Sequence, residues 1–231
     1  MRWVVAALMM ALAVPVWAEE LVPVPFVGCP ADGQQGPMDA PAMIGKALLL
    51  PNGLASRLAY YRGHELSALA PRGWHCAELY GSNGSILLVT PERHEPRDLL
   101  DSRGLSGSFV IVEFSFASTS GRFRVAEVAG PLFPVARKFV DGVKREPDVT
   151  LDFVSIANDR LTRRSPTVVE FVTPAYKDGL GIDGWVKKTA LPISGVALLR
   201  SDMDLVMVRT RLPAELRDLA PAIIANKIQA K

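Results

Sequence analysis

Residues 71–91 read PRGWHCAELYGSNGSILLVTP, and how this stretch is taken decides the fold. Trp74 to Tyr80 and Ser85 to Thr90 have the composition of two strands. Ser82, Asn83 and Gly84 between them predict a tight hairpin, because Asn-Gly tolerates the positive φ angles of such a turn. In the second strand Ile86, Leu88 and Thr90 share one face, and Leu87 and Val89 share the other. Both faces are largely apolar, which predicts a central strand covered on both sides. Pro91 ends it, since proline cannot donate to a ladder.

Downstream, Phe109 to Phe116 predicts a strand with Val110, Val112, Phe114 and Phe116 on an apolar face opposite Glu113 and Ser115. Arg122 to Val128 alternates in the same way and predicts another, with Phe123 and Val125 inward and Arg122 and Arg124 outward. Pro134 to Glu146 predicts a helix with Val135, Phe139, Val140 and Val143 as its stripe, started by Pro134 and stopped by Pro147. Val149 to Val154, Thr167 to Thr173, Ile193 to Arg200 and Leu205 to Arg211 predict further strands. A helix follows Pro213, divided by Pro221. Upstream, Leu66 to Ala70 predicts a strand, and Leu54 to Tyr61 a short helix with Leu54, Leu58 and Tyr61 on one face and Gly63 as its stop. Residues 92–104, ERHEPRDLLDSRG, read as a long charged loop. Strands arrive in runs rather than alternating with helices, which predicts an α+β domain: a mostly antiparallel sheet with helices packed on one face or side.

The N-terminus has the layout of a secretory signal: Arg2, an apolar Val4 to Val14, and Val16-Trp17-Ala18 as a cleavage site. Cleavage after Ala18 leaves 213 of the 231 residues and lowers the formal net charge from +2 to +1. Near-neutrality with interspersed charges argues against a nucleic-acid partner. The signal segment is too short to remain as an anchor, and no later stretch is long and apolar enough to span a bilayer. Val27-Gly28-Cys29 ends like a lipoprotein box, but Pro15, Glu19, Glu20, Pro23 and Pro25 separate it from the apolar segment. The organisation expected is therefore a signal peptide at 1–18, an irregular segment at 19–52, and a single α+β domain at 53–231. The location expected is the periplasm or the outside of the cell.

Cys29 and Cys76 are the only cysteines, and in an exported chain they are expected to pair. The bond would close a loop of about fifty residues, worth about 4 kcal/mol on the chain-entropy estimate, and tie the N-terminal segment to the hairpin. Their distant spacing is not that of a redox C-x-x-C motif.

Three histidines, His64, His75 and His94, lie near acids, but none shows a recognised metal-ligand spacing, so no metal and no cofactor is expected. Ser82 and Ser106 lack the G-x-S-x-G elbow of a hydrolase. Asp178 to Gly184, DGLGIDG, lacks the lysine of a phosphate loop and the ligand pattern of a calcium loop. Arg160, Arg163, Arg164, Lys187 and Lys188 read as a solvated basic face. No catalytic residue is assigned. Trp74, His75, Tyr80 and Trp185 form the candidate interaction surface, since aromatic residues are favoured at binding hot spots. Tyr60 and Tyr61 are further aromatics beside them, equally suited to finishing a core.

Residues 70–91, quoted above with Ala70 added, resemble a motif of uncharacterised exported proteins of proteobacteria. SPTVVEFVTPAYKDGLG (165–181) with LPISGVALL (191–199) resembles a second block of the same group. The resemblance implies an exported domain and carries no activity. Val-Thr-Pro recurs at Val89–Pro91 and Val172–Pro174, leaving open one domain or two related halves. The function expected is a non-catalytic periplasmic module that binds an envelope protein, a wall component or a small ligand. The alternative is an envelope hydrolase using His75 or His94 with a nearby acid.

Overall fold

The quoted hairpin forms the middle of one half of a large sheet. The computed structural model describes residues 19–96 and 104–229; residues 1–18, where a signal is expected, and residues 97–103 of the charged loop lie outside them. Three short strands come first: β1 (Leu21–Pro23), β2 (Phe26–Gly28) and β3 (Ala31–Gly33). They are followed by β4 (Leu49–Pro51), a single turn of helix α1 (Asn52–Ala55), β5 (Leu58–Arg62) and β6 (Ser67–Pro71). The hairpin is β7 (His75–Gly81) and β8 (Gly84–Thr90), and β9 (Phe109–Ser115) pairs beside it. Helices α2 (Arg122–Leu132) and α3 (Arg137–Lys144) then lead to β10 (Arg160–Ser165), β11 (Val168–Thr173), β12 (Ile193–Leu199), β13 (Leu205–Arg211) and helix α4 (Ala220–Gln229).

Eight strands form one sheet in the order β10-β11-β12-β13-β9-β8-β7-β3. Two antiparallel meanders meet at its centre, where β13 pairs with β9 in the register Val208↔Val112. Only β3 at the edge runs parallel to its neighbour. A second sheet, β2-β5-β6, and a ribbon, β1-β4, complete the architecture. The molecule is thus broadly α+β and dominated by antiparallel sheet.

Period-two alternation divides the apolar side chains between two cores. Leu87, Val89, Val110, Val112, Val206 and Val208 point into one, which the second sheet and α4 cover. Leu88, Phe109, Ile111, Leu205 and Met207 point into the other, beneath α2 and α3. Helices gathered on one face is therefore too simple a picture, because both sheet faces are apolar and each needs a cover.

The Cys29 and Cys76 Cα atoms are 5.3 Å apart, with the sulfurs at disulfide distance. This link and the strands β2 and β3, each parallel to a downstream strand, give order to a segment expected to be irregular. The hairpin turn also differs in detail. Gly81 pairs with Gly84, so Ser82 and Asn83 are the two loop residues and Asn83 keeps a negative φ. Gly84, with φ of 146°, begins β8, where a Cβ would collide with the Phe114 carbonyl of β9.

Three predicted elements are corrected. Leu54 to Tyr61 is not a helix: α1 ends at Ala55, and Leu58 to Arg62 is a strand because β2 and β6 offer it ladders on both sides. Val149 to Val154 forms no ladder; Val149, Leu151 and Val154 pack half-buried against the second core. Arg122 to Val128 belongs to helix α2, whose Val125, Val128, Ala129 and Leu132 are buried at helical spacing. Pro131 in its last turn cannot bond the carbonyl of Glu127, which instead accepts the Val154 N–H at 3.2 Å. The predicted 134–146 helix is present as a 3-10 turn (Pro134–Ala136) followed by α3, and Pro221 falls at the start of α4 after a second 3-10 stretch.

Candidate functional site

The tip of the β7–β8 hairpin and the start of α2 meet at Gly121. A side chain there would strike the Asn83 carbonyl, so only glycine permits the approach. The same carbonyl accepts the Phe116 N–H at 3.1 Å. From this junction the hairpin and the helix diverge, and a cleft of about 890 Å³ opens between them. Ser120, Phe123, Arg124 and Glu127, at helical spacing i, i+3, i+4 and i+7, form one wall; Leu79 and Ile86 of the hairpin belong to the opposite one and Trp185 closes the side. A cavity of this size suits a small molecule or a side chain of a larger partner.

Charges meet at the floor. Glu113 on β9 accepts from Arg124 Nε at 2.8 Å and from Arg209 Nη2, on β13, at 3.2 Å. Asp183 bonds Arg209 through Oδ2, which also lies 3.6 Å from Arg124 Nη2. Arg209 is 2% exposed and Glu113 7%. Burial alone would raise the Glu113 pKa, but the Arg124 and Arg209 guanidiniums overcome it and bring it down to about 2. Glu113 therefore holds its negative charge throughout the physiological range. It is a fixed charge rather than a proton acceptor, since a general base works best with a pKa near the operating pH.

The glycine-bearing loop 178–184 is held to this floor through Asp183. Asp183 Oδ1 also accepts the Trp185 backbone N–H at 2.8 Å, fixing the loop's end. Beyond it, Leu105 N donates to the Trp185 carbonyl at 2.6 Å, and buried Arg211 donates to the Lys187 carbonyl. The Tyr80 side chain lies on the other sheet face, with Glu78 and Ser85, where its hydroxyl donates to the Gly36 carbonyl at 2.7 Å.

The four residues of the candidate interaction surface are not brought together. Trp185 lines the cleft; Tyr80 borders it with its side chain on the other sheet face. Trp74 and His75 lie at the other end of β7, about 17 Å away at ~3.3 Å per residue. Trp74 is half-buried against the first core, and its carbonyl accepts from Tyr61. His75 is exposed. His64 Nε2 lies 2.8 Å from the Asp39 carbonyl, and His94 sits in the loop after β8. Ser82, in the hairpin turn, is bound to Gln34 and is as far from His75 as the strand allows. Among the described residues no group of three His, Cys, Asp or Glu side chains is placed to hold a metal ion.

The basic residues are dispersed. Arg160, Arg163 and Arg164 lie on the edge strand β10; Arg163 donates to the Leu132 carbonyl and Arg164 pairs with Glu170. Lys188 pairs with Asp178. The residues the sequence reading missed are Glu113, Arg124, Asp183 and Arg209, with Glu127 beside them. The available signal was a lone acid in FVIVEFS and two arginines at the end of LVMVRTR: a charge in a strand buried on both faces demands a partner.

No family model, curated protein or solved structure matches the chain.

Proposed function

We propose that the chain is an exported, non-catalytic binding module and that its ligand occupies the cleft between the β7–β8 hairpin and α2. The observation that carries this is the floor: its carboxylates are engaged by guanidiniums, which builds a rigid polar base between α2 and Trp185 without a group poised for proton transfer. The hydrolase alternative requires His75 or His94 beside a nucleophile, and His75 stands at the far end of β7 from the cleft. Export after cleavage near Ala18, to the periplasm or outside, is supported by the Cys29–Cys76 pair at disulfide distance and by the exported group its two blocks resemble. Among the described residues no helix is long and apolar enough to cross a membrane. The partner classes are those of the envelope: a protein, a wall component or a small ligand.

The test is capture from an envelope extract by the immobilised mature protein, with Ser120→Trp in parallel. Ser120 is exposed at the mouth of the cleft, so an indole there fills the space without entering a core. The expected result is a component retained by the native protein and lost with Ser120→Trp. Equal retention by both would overturn the assignment of the cleft.

A further inference from the structure

The charge left at the cleft after its internal pairs are formed narrows the ligand. Arg209 is matched by Asp183 and Glu113, and Arg124 is matched by Glu113 through two hydrogen bonds. Counting only Glu113, Asp183 and Glu127 against Arg124 and Arg209, three negative charges face two positive ones. The excess is on Glu127, three residues after Arg124 on the same face of α2. Its Oε1 accepts only a backbone N–H, from Asp152 at 3.1 Å, which leaves the carboxylate charge in place. A ligand entering the cleft displaces water from Glu127, and that loss is offset only if the ligand returns a positive donor group. An anionic ligand meets repulsion instead.

The aromatic lining has the same preference. A cation is attracted to the face of an indole or phenol ring. The chain already uses this contact next to the cleft: the Arg122 guanidinium carbon lies 4.3 Å from the Phe123 centroid. Trp185, packed on the α2 side beside the cleft, has no such cation over it among the described residues.

We infer that the cleft takes an organic cation, an ammonium or guanidinium on an aliphatic stem, with Glu127 as its counter-charge and Trp185 as its aromatic wall. This rests on the cleft being the binding site. The same chemistry is offered by a free amine and by a lysine or arginine side chain of a peptide.

Calorimetry on the mature protein separates these cases with three probes: end-blocked Ala-Lys-Ala, its norleucine counterpart, which keeps the stem without the charge, and n-pentylammonium. The lysine peptide is expected to bind at least about tenfold more tightly than the norleucine peptide, in the range of a desolvated cation–π contact plus an ion pair. Glu127→Gln keeps the acceptor for Asp152 and is expected to remove most of that difference. Binding of n-pentylammonium equal to that of the lysine peptide identifies a free amine as sufficient; a lysine peptide that binds alone identifies a side chain. Equal affinity for the lysine and norleucine peptides, or a lysine preference that survives Glu127→Gln, overturns the inference. If no probe binds while Ser120→Trp still abolishes capture from the extract, the cation is wrong and the cleft stands. If Ser120→Trp does not affect capture, the cleft itself fails.

Discussion

Two buried carboxylates, one on each face of the large sheet, are treated in opposite ways. Glu113 points to the α2 side and is met by two guanidiniums. Glu78, opposite Leu87 on the other face, is fully buried and is met by dipoles. Its oxygens accept backbone N–H groups from His64 at 2.5 Å, Leu66 at 2.8 Å and Glu65 at 3.2 Å, which fasten the β5–β6 turn to β7. Full charges overcome desolvation at Glu113, whereas at Glu78 desolvation prevails over the dipoles and its pKa is raised. One face thus holds a charge secured by guanidiniums and the other a carboxyl whose pKa burial pushes up. Glu113 lines the cleft.

The signs of their pH dependence are opposite. Glu113 is lowered, so its contribution is complete above its ordinary value of 4.5 and is lost as pH falls toward about 2. Glu78 is raised, so its contribution is complete below 4.5 and declines as pH rises toward its folded value.

The largest expected effect tests the charged side. Arg209→Met leaves Asp183 and Glu113 short of a buried partner and is expected to cost about 3–5 kcal/mol in urea unfolding at pH 7. A cost below about 1 kcal/mol would show that the network does not hold this face. Next, acid titration of the native protein is expected to lose on the order of 3 kcal/mol between pH 4.5 and 2, at about 1.4 kcal/mol per unit, and Glu113→Gln to flatten that limb. A third measurement strikes the strand between the two carboxylates. Gly84→Val faces both a positive φ and the Phe114 carbonyl, so thermal unfolding is expected to register a loss of roughly 1–3 kcal/mol. Glu78→Gln keeps an acceptor for the turn and removes the buried charge. It is expected to change stability by less than about 1 kcal/mol at pH 7, with gain as probable as loss. A penalty as large as that of Arg209→Met would erase the contrast. The smallest effect is His75→Ala, an exposed strand end, within about 0.5 kcal/mol and without effect on capture from the extract. Loss of a hydrolytic activity in that folded variant would revive the enzyme alternative.

The strands with a clear two-residue period and a nearby turn were legible in the sequence. Leu205–Arg211 falls where it was expected, and the hairpin within one residue at each end. Strands of three residues were not, because β2 and β3 exist only through parallel pairing with β5 and β7, which no local pattern announces. β10 was missed for a related reason: RLTRRS is polar and exposed, an edge held by its ladder to β11. Helix α2 was misread because Arg122-Phe123-Arg124-Val125 alternates like a strand, and the helical period emerges only from Val125 onward. Of the cleft, Trp185 was legible as an aromatic worth singling out. Glu113 and Arg209 were not seen as partners, since 96 residues separate them and only the β9–β13 ladder makes them neighbours.

That ladder also governs the order in which the molecule can assemble. Its centre joins residues 109–115 to residues 205–211, so the first meander has no inner neighbour until β13 has been added. Closing so long a loop is entropically costly before any contact rewards it, and proteins of high contact order fold slowly. Until then β9 is a sheet edge of seven residues, Phe109–Ser115, nearly all of which end up buried. Such an edge invites pairing with other chains. The interval between synthesis of β9 and arrival of β13 is therefore when this chain most needs a chaperone, and it is a vulnerability of time rather than of the finished structure.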